Sequence, residues 1–170
     1  MQGCAKANPH VWMTLTAGSF KSGREYLAAL RAAEPKPRGC LISETALALL
    51  LAPEFKAAAQ LGAIELFNVC CADLGFERPL FGGGGYAKLC GRARKFGLQL
   101  CPPEVGPLLR LHYVPRALDE TLNVAMQPIA DRHNHVHIFQ IVGKSELGAR
   151  RWPDNVSWYP AQRLIFTGTN

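Results

Sequence analysis

Three of the five histidines in this chain lie at alternate positions, in the stretch DRHNHVHIF that runs from Asp131 to Phe139. On an extended strand, side chains two residues apart share a face, with roughly 6.5 to 7 Å between successive positions. Imidazole is a good ligand for zinc, copper, nickel or iron. His133, His135 and His137 are therefore a candidate site for a divalent transition metal, in which the last two form an HxH pair.

A catalytic metal site needs about three protein ligands and an open coordination position. Asp131, Glu146 or His112 would have to complete the set, and sequence spacing places none of them there. The same strand face continues with Phe139 and Ile141, which is typical of a strand that runs from a wet end into the core. We prefer this polar strand entrance to a metal site, because an HxH pair lacks the specificity of a paired-ligand motif.

A second candidate chemistry is nucleic-acid binding. Basic and aromatic residues mix in RRWPDNVSWYPAQR, and the helix predicted in YAKLCGRARKF carries a basic stripe. Such residues can neutralise phosphates and stack on the bases of a single strand. The residues predicted to make these contacts are Lys88, Arg92, Lys95, Arg150, Arg151, Trp152 and Trp158. The preferred alternative is a solvated helix face and an ordered loop whose aromatic residues plug the sheet.

Two further motifs admit a functional interpretation. The glycine loop in FGGGGYAKLCGRARK leads into a helix N-terminus, a natural place for an anion, but it matches no phosphate-binding pattern. Cys101 has Glu104 and His112 near it in sequence, but a nucleophilic thiol needs a base in contact. We prefer to interpret the glycine loop as a segment that caps the helix, and Cys101 as a buried structural thiol.

Composition narrows the class of protein. The chain has 170 residues, of which 48% are hydrophobic and 19% charged, which favours a single domain over 1–170 and excludes a disordered chain. A formal charge of +6 favours acidic partners such as nucleic acid or anionic surfaces. The N-terminus lacks a signal-peptide pattern, and the run ALALLLA is too short to cross a bilayer, so we expect a cytoplasmic protein with no membrane partner.

Hydrophobic periodicity predicts helices in the first part of the chain. An early strand in HVWMTLTAG precedes a helix in SFKSGREYLAALRAA, and a second helix begins after Ser43 and ends near Pro53. A strand buried on both faces follows in LGAIELFNVCCADLGF, and then an amphipathic helix that Gly97 ends.

After Pro107 the period changes to two, because Leu109, Leu111 and Tyr113 alternate. Strands are predicted in LLRLHYV, TLNVAM, HVHIFQIV and RLIFT, and short connections favour an antiparallel meander. The predicted fold class is α+β, with two or three helices and an early strand packed on a C-terminal antiparallel sheet.

The stretches EYLAALRAA, CADLGF, YAKLCGRARKFGLQLCPPEVGPLLRLHY and NVAMQPIAD resemble a family of uncharacterised bacterial proteins. The block from Tyr86 to Tyr113 is the most specific part, and the resemblance covers most of the chain. It implies a shape but no activity. Where such relatives commonly carry an Asp-Ser-Asp-Gly turn, this chain has DRHNH, which counts against the histidines being a shared device.

We therefore expect a small noncatalytic binding or accessory module with a basic surface, whose partner is protein or nucleic acid. The alternative is a metal-dependent enzyme built on His133, His135 and His137. An enzyme needs a concave pocket in which polar groups converge, whereas a module needs only an exposed patch.

Overall fold

The computed structural model of the protein describes residues 9–33, 41–82, 84–115, 117–152 and 157–168, and for Trp152 the backbone only. The strands are β1 (Met13–Ala17), β2 (Leu41–Ile42), β3 (Gly62–Cys70), β4 (Leu98–Gln99), β5 (Thr121–Val124), β6 (Ile129–Ala130), β7 (Val136–Val142), β8 (Glu146–Trp152) and β9 (Arg163–Gly168). The helices are α1 (Gly23–Ala32), α2 (Glu44–Leu51), α3 (Gly85–Arg94) and α4 (Val105–His112).

All nine described strands join one mixed sheet. Its main order is β1-β3-β9-β5-β7-β8-β2, while β4 pairs with β9 and β6 pairs with β7. Most neighbours are antiparallel, but β5 runs parallel to β9 and β2 runs parallel to β8. The sheet therefore takes strands from the whole length of the described chain.

The predicted layout of this α+β fold is wrong in two respects. The described residues form four helices rather than two or three, and the sheet is mixed rather than a C-terminal antiparallel meander. Four of its strands, β1 to β4, come from the first part of the chain. Strand β8 was not predicted, because its sequence ELGARRW contains a glycine and two arginines and lacks a run of apolar residues.

The segment after Pro107 is helix α4, not the predicted strand. Val105, Leu108 and Leu109 are buried, at the i, i+3 and i+4 spacing of one helix face. Pro107 lies in the first turn, where a helix needs no backbone donor. Gly106 lets the helix approach the sheet, because a Cβ there would lie 2.6 Å from Phe139 of β7.

Several boundaries are confirmed. The Ser43 hydroxyl accepts a hydrogen bond from the Ala46 amide at 3.1 Å, as a helix N-cap does, and α2 ends at Leu51, before Pro53. Gly97 follows α3 with φ of +75°, the left-handed conformation that ends helices. The strands predicted in TLNVAM, HVHIFQIV and RLIFT contain β5, β7 and β9.

Helices cover both faces of the sheet. Helix α4 packs on Phe139, and α1 and α2 lie on the same side, since α1 contacts both α2 and α4. Because side chains alternate along a strand and Ala149 pairs with Phe139, Arg150 points to the other face. There its guanidinium lies 4.2 Å from the Trp158 ring centroid, and Trp158 stacks on Tyr86 of α3.

One buried carboxylate connects four segments on the α4 side. Glu104, immediately before α4, is fully buried and accepts hydrogen bonds from the Gly18 amide at 3.0 Å, the Ala58 amide at 2.9 Å and the Tyr26 hydroxyl at 2.5 Å. Burial and the bond to Glu104 raise the pKa of Tyr26, so the phenol stays protonated and donates. The turn after β1, helix α1 and the segment after α2 are thereby held at the start of α4.

Within the described residues, no helix has the length and apolar character needed to span a membrane.

Replacing Glu104 tests how far the fold depends on this carboxylate. Glu104→Ala leaves three donors without their acceptor, the buried Tyr26 hydroxyl and the two amides of the partly buried Gly18 and Ala58. A buried donor left unpaired costs about 1–3 kcal/mol. We expect the free energy of unfolding, measured in urea by circular dichroism, to fall by about 3 kcal/mol or more. Tyr26→Phe removes one bond and should cost about 1–2 kcal/mol. A wild-type urea midpoint for Glu104→Ala would contradict this role.

Candidate functional site

The histidine-rich stretch forms the tip of the hairpin between β6 and β7. The Asn134 amide donates to the Asp131 carbonyl at 2.9 Å, and the Asp131 amide donates to the His135 carbonyl at 2.8 Å. Asn134 has φ of +60°, a left-handed conformation typical of the last residue in a three-residue hairpin loop. Strand β7 begins only at Val136, so His133 and His135 lie in the turn rather than on a strand face.

The Asp131 carboxylate holds this turn together. One oxygen accepts from the amides of His133 and His135, at 2.8 and 2.9 Å, and the other lies 3.0 Å from Nε2 of the buried His137 ring. Desolvation raises the pKa of Asp131, but the hydrogen bonds from the two amides and from His137 outweigh it and lower the pKa from 3.8 to about 2. Because an ionised carboxylate can only accept, His137 Nε2 donates the proton of this bond.

His133 does not converge with the other two imidazoles, whereas His135 Nδ1 and His137 Nε2 face the same Asp131 oxygen, Oδ2, at 3.7 and 3.0 Å. His133 Nε2 accepts from the Arg132 side chain at 3.1 Å, and the centroids of the His133 and His135 rings lie 6.2 Å apart. Glu146 is far from His137, because it lies five residues along β8 from Arg151, the residue opposite His137, which corresponds to about 16 Å. Among the residues that the structure describes, no three His, Cys, Asp or Glu side chains are placed to hold a metal ion.

Strand β7 leads from the polar turn into the core. The strand starts beside the turn and continues inward through the buried Phe139 and Ile141. A groove of about 610 Å³ does open between this turn and α2. Its polar lining comes from Glu44 and Thr45 of α2 and from Asp131, Arg132 and His133 of the turn. The side chains of the three turn residues already bind one another or their own turn.

The aromatic residues predicted to stack on bases are placed differently from that prediction. Trp158 is fully buried between Tyr86 and Arg150, so no base can reach its ring. The Arg150 guanidinium donates to the Ser157 carbonyl at 3.0 Å, and desolvation by burial lowers its pKa. These two residues form a packed plug, and the Trp152 side chain lies outside the described part of the structure.

The predicted basic stripe on α3 is exposed. We define the α3 basic surface as Lys88, Arg92, Arg94 and Lys95, all solvent-exposed, of which Arg94 was missing from the predicted set. The sequence has no acidic residue between Glu77 and Glu104. Among the described residues, no carboxylate forms an ion pair with these four side chains.

The other predicted cation does not extend this surface. Arg151 is exposed and lies opposite His137 in the pairing of β7 with β8. Its side chain is on the α4 side of the sheet, because successive residues of a strand point to opposite faces and Arg150 points to the other one. Arg92 is partly committed, since its Nε donates to the Leu74 carbonyl at 3.0 Å and its guanidinium lies over the Phe96 ring. The α3 basic surface is thus separate from Arg151.

Cys101 is a buried structural thiol, as preferred. Its sulfur contacts the Ile165 carbonyl at 3.4 Å, and desolvation raises the pKa of the thiol. Glu104 is engaged with three other donors, and His112 lies at the far end of α4, exposed. Neither of the two residues that the sequence suggested as a base therefore contacts this thiol. In the glycine loop before α3, Gly83 lies outside the described residues.

No protein-family model, curated protein or solved structure matches this chain. The resemblance to a bacterial family therefore stays a prediction, and function has to be argued from the geometry.

The pKa of Asp131 predicts how the stability of the hairpin depends on pH. A folded-state pKa below the ordinary value of 3.8 adds stability that is complete above about pH 4 and is lost as the pH falls towards 2. Asp131→Asn cannot titrate, so we expect its free energy of unfolding to fall less steeply than that of the wild type over this range.

Urea unfolding at a series of pH values measures this difference. Asp119→Asn, which removes an exposed carboxylate, is the matched control and should follow the wild-type profile. Superimposable profiles for Asp131→Asn and the wild type would show that the carboxylate does not stabilise the turn.

Proposed function

We propose that this protein is a noncatalytic binding module that holds nucleic acid through its phosphates on the α3 basic surface. The single observation that carries the proposal is four exposed cations on and beside one ten-residue helix, with no carboxylate paired to them among the described residues. Unpaired cations need no rearrangement before they meet phosphate, and binding releases the counterions of the nucleic acid.

The spacing of these cations supports the proposal. Lys88, Arg92 and Lys95 follow each other at i, i+4 and i+7, so they share one side of α3 over about 10 Å. Phosphates along one strand of a duplex are about 3.4 Å apart along its axis, so the surface matches a run of about three. Basic residues in the last turn of a helix also interact favourably with the helix dipole. That interaction alone would explain the presence of Arg92 and Arg94 but not of Lys88, which lies in the first half of α3.

A cytoplasmic location is part of the proposal. The four cysteines that the structure describes, Cys70, Cys71, Cys90 and Cys101, are all free thiols, which suits a reducing compartment. Cys4 and Cys40 lie outside the described residues. An acidic protein is the alternative partner, because it would meet the same cations.

The proposal predicts binding that weakens steeply with salt and depends on α3. Anisotropy of a labelled DNA duplex, titrated between about 50 and 200 mM salt, gives the slope of log affinity against log salt. We expect the triple variant Lys88→Gln, Arg94→Gln, Lys95→Gln to bind more weakly, with a slope shallower by about 2 to 3. Arg92 is left unchanged because it binds the Leu74 carbonyl.

The matched control removes the same charge from the other side of the sheet. Lys21→Gln, Arg24→Gln, Arg31→Gln replaces three exposed cations in and beside α1, and we expect nearly wild-type affinity. Equal losses in the two triple variants would show that net charge rather than the α3 surface governs binding. Absence of binding to any oligonucleotide would end the proposal.

A further inference from the structure

Two exposed aromatic side chains lie next to a backbone bridge that joins the segment before α3 to the segment before β9. The backbones of Leu80 and Trp158 form an isolated antiparallel bridge, in which each amide donates to the other carbonyl at 2.9 Å. Leu80 is half-buried and Trp158 is fully buried. The next residue of each segment faces solvent, since Phe81 is 72% exposed and Tyr159 is 52% exposed.

The bridge places the two rings on one outward side. Side chains alternate along paired backbones, so neighbours of the inward Leu80 and Trp158 point away from the core. Continuing the register of the bridge by one residue sets Phe81 opposite Ser157 and makes Tyr159 its diagonal neighbour. Residues in such positions are about 7–8 Å apart, and their Cβ atoms are somewhat closer. We call Phe81 and Tyr159 the aromatic platform.

The base of the platform is held firmly. Trp158, directly below it in the bridge, stacks on Tyr86 and lies under the Arg150 guanidinium. The Tyr159 amide donates to the Gln162 side chain and its carbonyl accepts from the Gln162 amide, both at 3.0 Å. The Tyr159 ring is therefore presented on a hydrogen-bonded turn, and Phe81 follows directly on the bridged Leu80.

The platform adjoins the α3 basic surface. Helix α3 begins against the bridge, because a Cβ on Gly85 would lie 3.1 Å from the Trp158 ring and 3.6 Å from the Leu80 side chain. Lys88 extends back over the start of the helix, with Cε 3.9 Å from where a Cβ of Gly84 would lie. A cation and two exposed rings thus meet at the N-terminal end of α3.

We infer that the nucleic acid bound here is single-stranded, with successive bases stacked on Phe81 and Tyr159 and their phosphates on the α3 basic surface. The inference rests on the proposed function. Aromatic side chains stack on the faces of unpaired bases, and those faces are covered by neighbouring base pairs in a duplex. Cations beside exposed rings are the combination that single-strand binding uses.

An anionic membrane is the other ligand that cations and aromatic residues can suit, but α3 does not favour it. A helix that lies in a membrane surface turns a broad apolar face to the lipid. The apolar face of α3, formed by Tyr86, Leu89, Cys90 and Ala93, is buried against the rest of the protein. Two rings alone are a small apolar area, which is enough for two bases.

Binding of a labelled oligothymidine of about 12 nucleotides tests the inference, with a duplex of equal length for comparison. Phe81→Leu and Tyr159→Leu remove a ring but keep apolar bulk, and we expect each to weaken single-strand binding about 5- to 100-fold while duplex binding stays unchanged. Phe81→Tyr and Tyr159→Phe keep a ring and should bind as the wild type does. Leu61→Ala and Leu118→Ala, which truncate exposed leucines elsewhere, control for loss of apolar surface.

The outcomes separate this inference from the proposed function. Wild-type protein that binds neither oligonucleotide contradicts both. If single strand and duplex bind equally well and Phe81→Leu and Tyr159→Leu bind as the wild type does, base stacking on the aromatic platform is refuted. The proposal for the α3 basic surface then still stands. Base stacking is also refuted if Phe81→Tyr and Tyr159→Phe lose as much affinity for the single strand as Phe81→Leu and Tyr159→Leu do. Binding to phosphatidylserine vesicles without binding to either oligonucleotide assigns the surface to a membrane and refutes both proposals.

Discussion

The position of α4 depends on the Glu104 carboxylate. A carboxyl group that is fully buried is stable only where enough hydrogen-bond donors surround it, and here the donors come from three distant segments. Two are backbone amides, and that of Gly18 is tightly placed, because a Cβ on Gly18 would lie 2.3 Å from the Gln60 carbonyl oxygen. The bonds bring the end of β1, α1 and the segment after α2 to one point, and α4 then packs its leucines on the sheet from there.

The same principle explains the histidine hairpin. The Asp131 carboxylate needs donors and finds them in the amides of His133 and His135, so the turn uses the backbone of these residues rather than their rings. The His137 ring adds a hydrogen bond of its own to the carboxylate, and the His135 ring lies 3.7 Å from the same oxygen. The alternating histidines therefore belong to one polar turn and one buried ring, and the side chains of His133 and His135 keep solvent exposure.

The sequence contained enough local information to predict elements whose ends have their own chemistry. Ser43, Pro53 and Gly97 mark helix ends because capping and φ preferences act within a few residues. The segment after Pro107 was wrongly predicted as a strand, because Leu109, Leu111 and Tyr113 also fit the alternating pattern of a strand. The close approach of Gly106 to Phe139, which packs this helix on the sheet, joins residues far apart in sequence.

The candidate site divides in the same way. The basic stripe of α3 is a property of one helix and was predicted, whereas the burial of Trp158 and the exposure of Phe81 both depend on a backbone bridge between residues 80 and 158. Which of several aromatic residues faces solvent there is decided by pairing register. No pattern within either segment carries that information.

The place of β9 in the sheet has a consequence for biosynthesis. This strand follows eight others in the chain, yet it lies between β3 and β5 and joins the two halves of the sheet. Until residues 163–168 have left the ribosome, β3 and β5 each expose an edge of unpaired amides and carbonyls, and such edges attract other chains. The last described strand thus completes the sheet by pairing with residues far from it in sequence, and long-range pairing of this kind slows folding and lengthens the exposure of such edges.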